Sequence, residues 1–228
     1  MKNSIGFAII VLLLMGCKDQ PKATKTAATK ATFNQELADE LKKMTVVDQL
    51  AAWNAYPPET HQHLSLEEWN AFKDSVYRTH QKRLQEIFNE FGFAGYDLVG
   101  EEGSLNFWLM TQHSDHNPDF QQQILEKMKI EVDKGNASSS NYALLVDRVQ
   151  LNTGKPQIYG TQVDYNFDIA QAFPKNLADS TKVNERRKSV GLEPIEQYLN
   201  DMSRSNFEMN KQLYLDKGIT EPTLYKIE

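Results

Sequence analysis

Apolar side chains recur at steps of three and four residues through most of this 228-residue chain. Between Phe33 and Trp53 the pattern forms one stripe along an α-helix. Its members are Leu37, Leu41, Met44, Val47 and Leu50. A helical repeat that continues over several segments restricts the chain to folds in which amphipathic helices pack against one another.

Capping and breaking residues predict where successive helices begin and end. Ser65 is a good N-cap for a second helix, and Gly92 is a typical stop. Asn117 followed by Pro118 is the arrangement favoured at a helix start. These signals predict five helices, over about 33–53, 65–91, 101–112, 117–134 and 139–149.

Beyond residue 150 the helical repeat gives way to turn residues and alternation. Gln157 to Phe167 alternates in a way that predicts one or two short strands, paired as a small hairpin. Asp179 is expected to cap a further helix that ends at Gly191. The predicted fold class is therefore mainly α, with residues 33–228 forming a single compact helical domain that has one small β-hairpin in its C-terminal half.

The N-terminus resembles a bacterial lipoprotein signal. Lys2 precedes an apolar stretch from Ile5 to Met15 that is too short to span a bilayer. Leu14-Met15-Gly16-Cys17 is similar to the lipobox at which such precursors are cleaved and acylated. We therefore predict a signal peptide over 1–16 and a lipid on Cys17. An ordinary secretory signal or an apolar anchor helix is the alternative.

Cys17 is the only cysteine, so the sequence excludes an internal disulfide and a cysteine-based zinc site. Residues 17–32 are predicted to be the lipidated cysteine and a flexible tether, because the stretch after Cys17 has four lysines and no large apolar side chain. Lys18 directly after the cysteine resembles an outer-membrane sorting signal. The expected location is the bacterial cell envelope, with the membrane bound through the lipid anchor and the domain facing the periplasm or the cell surface.

The predicted domain is acidic. Residues 33–228 contain 20 basic and 30 acidic side chains, a formal charge of about −10. Phosphates would be repelled by this field, so nucleic acid is excluded as a partner. The expected partner besides the membrane is a small molecule, a glycan or a protein of unknown identity.

Three polar stretches, 111–116, 147–148 and 154–162, hold the candidate site residues. His113 is the best candidate for proton transfer, because an imidazole exchanges protons near neutral pH. The candidate catalytic set is His113, Asp147 and Arg148, in which Asp147 or Asp115 orients the ring and Arg148 stabilises an anionic intermediate. A purely structural histidine is the alternative. The candidate ligand-binding residues are Gln112, Gln157, Tyr159, Thr161 and Gln162.

Metal binding is a second interpretation of the same segment. His113 and His116 are three residues apart, and Asp115 or Asp119 could add oxygen ligands. We predict no metal site, because Asn117-Pro118 is expected to break the helix and with it the required spacing. The sequence also lacks a Walker loop, a dinucleotide fingerprint, a Gly-x-Ser-x-Gly elbow and a His-Glu-x-x-His helix. It therefore names no cofactor.

Several short elements between Asp48 and Tyr198 occur together in an unusual combination. They are Asp48-Gln49, Val99-Gly100, Gln112-His113, Asp147-Arg148, Gln157, Tyr159-Gly160-Thr161-Gln162, Arg186-Arg187 and Val190-Gly191-Leu192. In these elements the chain resembles a bacterial family known as domain of unknown function 6624. It departs from the family at Gly92-Phe93-Ala94, where relatives usually have a proline third. The resemblance implies a shared fold and supplies no reaction.

Two functions remain open from the sequence. The first is a lipid-anchored, non-catalytic helical module that binds a ligand or partner between the third helix and the hairpin. The second is a hydrolase-like enzyme with His113 as general base, with or without a metal ion. A purely structural role for the Arg and Asp residues is a third possibility. Geometry separates the first two. His113, Asp147, Arg148 and Gln157 or Gln162 around one open cleft would favour the enzyme, and an imidazole sealed in the core would exclude it.

Overall fold

The computed structural model describes residues 32–227, and the structural statements below concern that part of the chain. The predicted signal peptide, Cys17 and most of the predicted tether lie outside it. The described part forms eight α-helices and one two-stranded antiparallel hairpin. The predicted mainly α fold class is therefore confirmed. No helix in residues 32–227 is both long and apolar enough to cross a membrane.

The first five helices follow the predicted order. They are α1 (Gln35–Trp53), α2 (Leu66–Phe91), α3 (Tyr96–Gln112), α4 (Pro118–Asp133) and α5 (Ser139–Asn152). Ser65 and Glu68 form a reciprocal capping box at the start of α2. The Asn117 side chain accepts a hydrogen bond from the Phe120 amide at the start of α4. Gly100 interrupts α3 with a φ of +72°, so regular helix resumes at Glu101.

The C-terminal third contains the hairpin and three helices. They are β1 (Val163–Asn166), β2 (Gln171–Pro174), α6 (Val183–Ser189), α7 (Ile195–Met209) and α8 (Lys211–Asp216). The hairpin exists, but it begins later than predicted, and residues 157–162 form a loop instead of a strand. The expected cap at Asp179 is wrong. Its carboxylate accepts from the Thr181 amide, and Lys182 holds the N-cap position of α6.

Three apolar clusters hold these elements together, and the two larger ones matter for the position of the functional residues. The larger one is built by α1 to α5 around fully buried side chains such as Leu41, Leu84 and Phe107. A smaller one joins the hairpin to α6 and α7 through Ala172, Val183, Ile195 and Leu199. The connection between α5 and β1, residues 153–162, runs from the first cluster to the second. This connection carries most of the predicted ligand-binding residues, so its anchoring decides where they lie.

Candidate functional site

His113 lies at the C-terminal end of α3 and contacts a buried carboxylate from α1. Its Nδ1 is 2.7 Å from Oδ2 of Asp48. Asp48 has no exposed surface, whereas 20% of the His113 side chain is exposed. In the described part of the chain Nε2 of His113 has no hydrogen-bond partner. Asp48 therefore holds Nδ1 of His113 in place, and Nε2 is left available to a bound molecule.

Asp48 lies between two imidazoles. His80, on α2, places its Nδ1 3.7 Å from Oδ1 of Asp48, which is too long for a hydrogen bond. Both atoms are buried, and neither has a hydrogen-bond partner within residues 32–227. Oδ2 of Asp48, which contacts His113, also accepts from the side-chain amide of Gln49 at 3.0 Å. The contact with His80 is therefore electrostatic, while His113 and Gln49 make the hydrogen bonds.

This environment keeps Asp48 ionised. Burial raises the pKa of Asp48, but the contacts with His113, then His80, lower it by more, so that its pKa lies below the ordinary value. A buried charge of this kind is costly unless it is paired. Asp48 consequently favours the tautomer of His113 that carries its proton on Nδ1.

His113 opens onto a cavity of about 450 Å³. The other residues that line it are Ala52, Asp74, Tyr77, Asp115, His116 and Arg148. The rings of Tyr77 and His113 are 5.3 Å apart. Burial, and then the charge of Asp48, raises the pKa of Tyr77, so its phenol keeps its proton at neutral pH and can donate a hydrogen bond. Partial burial, and then Arg78, lowers the pKa of His116, which favours its neutral form.

Arg148 forms a two-point ion pair at the edge of this cavity. Its Nε and Nη2 donate to the two carboxylate oxygens of Asp115 at 2.8 and 2.6 Å. Burial raises the pKa of Asp115, but Arg148 lowers it by more. Arg148, the candidate stabiliser of an anionic intermediate, is therefore already paired with a carboxylate of this chain. Asp115 therefore contacts Arg148 and does not orient His113.

Asp147 lies elsewhere, although it is next to Arg148 in sequence. Its fully buried carboxylate accepts from three backbone amides of the 157–162 loop. These are Ile158 at 2.7 Å, Tyr159 at 2.9 Å and Thr161 at 2.8 Å. The structure thus places Asp147 as an anchor for the loop, and the acid that contacts His113 is Asp48.

Two arginines donate hydrogen bonds to backbone carbonyls of the same loop. Arg186 donates from Nε to the Ile158 carbonyl at 2.7 Å, and Arg187 donates from Nη1 to the Tyr159 carbonyl at 2.9 Å. Arg187 is only 1% exposed, so it is part of the buried structure. Gly160 has a φ of +69°, and a Cβ there would lie 2.7 Å from the Ile195 side chain. The loop is therefore fixed by buried charges and close packing.

The five predicted ligand-binding residues separate into two groups. Gln162 lines a second cavity, of about 320 Å³, next to Arg148. Gln157 is buried and braces Gln162, accepting from its amide at 2.7 Å and donating to its carbonyl at 2.8 Å. Gln112 and Thr161 are buried, and half-buried Tyr159 packs on the larger apolar cluster. The geometry places Gln162 at a cavity and the other four in the supporting structure.

The metal interpretation finds no support in the geometry. Within residues 32–227, no three or more His, Cys, Asp or Glu side chains are grouped to hold a metal ion. His113 and His116 both line the cavity, but α3 ends at Gln112. They therefore do not share a helical face.

Sequence analysis missed Asp48, Tyr77 and His80 as site residues. Asp48 continues the buried stripe of Leu37 and Leu41 at a helical step of seven, where an apolar side chain is expected. His80 lies between Val76 and Leu84 on the buried face of α2. The signal that could have found Asp48 and His80 is a charged or titratable side chain at a position of an apolar helical stripe.

Comparison with known proteins gives a family without an activity. A model described as a family of unknown function, DUF6624, matches residues 35–207. The match includes Asp48, His80, His113 and Arg148. No curated protein and no solved structure matches the chain significantly. The chain therefore belongs to the DUF6624 family of unknown function.

Proposed function

We propose that this protein is a hydrolase-like enzyme in which His113 is the general base and Asp48 orients it. The 2.7 Å contact between Asp48 and His113 carries the proposal. Burying a carboxylate completely costs free energy unless the charge is paired. The pairing of Asp48 with a partly exposed imidazole at a cavity resembles the base and orienting acid of hydrolytic sites. A histidine with a purely structural role would not need an open edge.

The proposed reaction uses water as the nucleophile. His113 accepts a proton from water at Nε2, and the resulting hydroxide attacks an electrophilic carbon or phosphorus of the substrate. A bond to the leaving group breaks, and Nε2 returns its proton to that group. Asp48 stabilises the transient imidazolium through Nδ1. Arg148 and the Tyr77 phenol line the cavity and supply donors for the negative charge that develops.

His113→Gln tests the proposal. The variant removes the base, so we expect turnover to fall by roughly 10²- to 10⁴-fold. The measurement is hydrolysis of a panel of carboxyl esters, amides and phosphate mono- and diesters by the full-length chain. His63→Gln is the matched control, because His63 is exposed in the loop before α2. Absence of turnover by the unmodified chain, or equal turnover by His113→Gln, would contradict the proposal that this protein is a hydrolase.

A non-catalytic binding module is the second candidate, and the charge pairing in the cleft favours it. Arg148 is already neutralised by Asp115, and Asp74 accepts from Arg78 at 2.7 Å. A surface with satisfied charges can bind a small molecule, glycan or protein without reacting with it. A ligand screen by thermal shift supports this alternative if one chemical class stabilises the chain and the substrate panel gives no turnover.

We also propose that the protein is anchored at the bacterial cell envelope through a lipid on Cys17. The lipobox-like sequence at 14–17 supports this proposal, and the described residues do not bear on it. Cys17→Ser is expected to abolish incorporation of a labelled fatty acid, because the acylated thiol is absent. Metabolic labelling of expressing bacteria measures this. Lys22→Gln in the predicted tether is the control, and equal labelling of Cys17→Ser would refute the anchor.

A further inference from the structure

A second cavity adjoins the first at the Asp115–Arg148 ion pair. The pair lines both, and the second cavity has about 320 Å³ of space. Its other lining residues are Leu151, Asn152, Gln162 and Lys175. Each cavity has the size of a small-ligand site. A molecule that occupies both would cross the ion pair and extend from His113 to Lys175.

The second cavity is positively charged, although the chain is acidic. The charges of Asp115 and Arg148 cancel, so Lys175 supplies the net positive charge of the residues that line the cavity. Within the described residues, Lys175 is in no ion pair. Arg148 uses Nε and Nη2 for Asp115, and its Nη1 has no hydrogen-bond partner among residues 32–227. Two cationic donors are therefore available at the same cavity.

The backbone that carries these donors is held in place. The Lys175 amide donates to the Gln162 carbonyl at 3.0 Å, which joins the end of β2 to the 157–162 loop. The side-chain amide of the buried Gln157 donates to the carbonyls of both Gln162 and Lys175. Gln162 and Lys175 are thus braced by one side chain, which lowers the entropy cost of binding a ligand between them.

We propose that this second cavity is a subsite for an oxyanion carried by the substrate, either a carboxylate or a phosphate. Lys175 and Nη1 of Arg148 bind the charge, and the Gln162 side chain adds a hydrogen bond. The inference rests on the proposed function, because it places the oxyanion at one end of a substrate whose reacting bond lies beside His113. The substrate class is accordingly a small anionic ester, amide or phosphoester.

Inorganic phosphate and acetate are the probes that test the subsite. Each is titrated up to roughly 50 mM into the full-length chain in detergent, above the millimolar Kd expected of a few charge-assisted bonds. Amide chemical shifts of Gln162 and Lys175 report binding. We expect saturable shifts, and we expect Lys175→Gln to raise Kd about fivefold, the effect of losing one exposed charge contact. Lys188→Gln, an exposed lysine on α6, is the control with the same change in charge.

The outcomes separate the subsite from the enzyme. Absence of saturable shifts with either probe, or equal weakening by Lys188→Gln, would overturn the subsite, whatever the substrate panel shows. Phosphate or acetate binding that survives in His113→Gln supports the subsite even if no hydrolysis is found. Tighter binding of phosphate than acetate identifies a phosphate-bearing substrate, and the reverse identifies a carboxylate.

Discussion

Replacing Asp48 by Asn is expected to lower kcat/KM by roughly 10²- to 10⁴-fold for any substrate that the enzyme hydrolyses. Asn has nearly the same size, but it carries no charge to stabilise an imidazolium. Its amide can also donate to Nδ1 of His113, which would move the ring proton to Nε2, the nitrogen that must accept a proton from water. The substitution therefore removes the base without removing the ring.

Two measurements check this result. The first is kcat/KM on the panel substrate that the unmodified chain turns over fastest. The second is the nitrogen chemical shifts of the His113 ring, which report the tautomer. Asp39→Asn is the control, because Asp39 is an exposed acid on the same helix. A variant that keeps kcat/KM within about threefold of the original, or an unchanged tautomer, would exclude Asp48 from the orienting role.

The same contact predicts a dependence of stability on pH. The pKa of Asp48 in the folded chain lies below the ordinary aspartate value of 3.8. Its ionised form therefore stabilises the fold above that value, and this contribution disappears as the pH falls through the lower pKa of the folded state. We expect the stability difference between the original chain and Asp48→Asn to shrink below about pH 4. Urea unfolding at several pH values measures it.

Asp147→Ala is expected to lower the free energy of unfolding by about 3–5 kcal/mol. The substitution leaves three backbone amides of the 157–162 loop without their acceptor, and the site is sealed from water. Asp147→Asn should cost about half as much, because its remaining oxygen can still accept from Ile158 and Tyr159 while its NH2 faces the Thr161 amide.

Urea unfolding followed by circular dichroism measures the effect. Asp168→Ala is the control, since 91% of the Asp168 side chain is exposed, and its replacement should change stability by less than about 0.5 kcal/mol. A loss below about 1 kcal/mol for Asp147→Ala would show that the loop amides find other partners. It would also reopen a catalytic role for Asp147.

The helices could be predicted because their signals are local. Ser65 and Glu68 satisfy one another's free backbone amides at the start of α2. At the start of α4 the Asn117 side chain accepts from the Phe120 amide, within one turn of the residue that carries the signal. The hairpin was placed less well. Tyr159, Gly160 and Thr161 alternate like a strand. The amides of Tyr159 and Thr161 nevertheless bind Asp147, and Gly160 turns the chain with a positive φ. A carboxylate that competes for backbone amides cannot be recognised from alternation.

The candidate site was only half predictable. His113 and Arg148 stand out by their chemistry, since few side chains exchange protons or bind carboxylates in this way. Their partners do not stand out. Asp48 lies on α1, 65 residues before His113, and His80 lies on α2. Asp147 was a candidate orienting acid in the same stretch as Arg148, yet neighbours on a helix point about 100° apart.

The sequence by itself determined the helical class, most boundaries of the first five helices and the candidate histidine, because periodicity and capping act over one or two turns. Only the tertiary structure decided which acid contacts His113, which arginine is buried and which glutamine faces a cavity. Those assignments depend on how α1, α2, α3 and the 157–162 loop pack together. Packing brings distant residues within hydrogen-bond range, and local propensity carries no information about that distance.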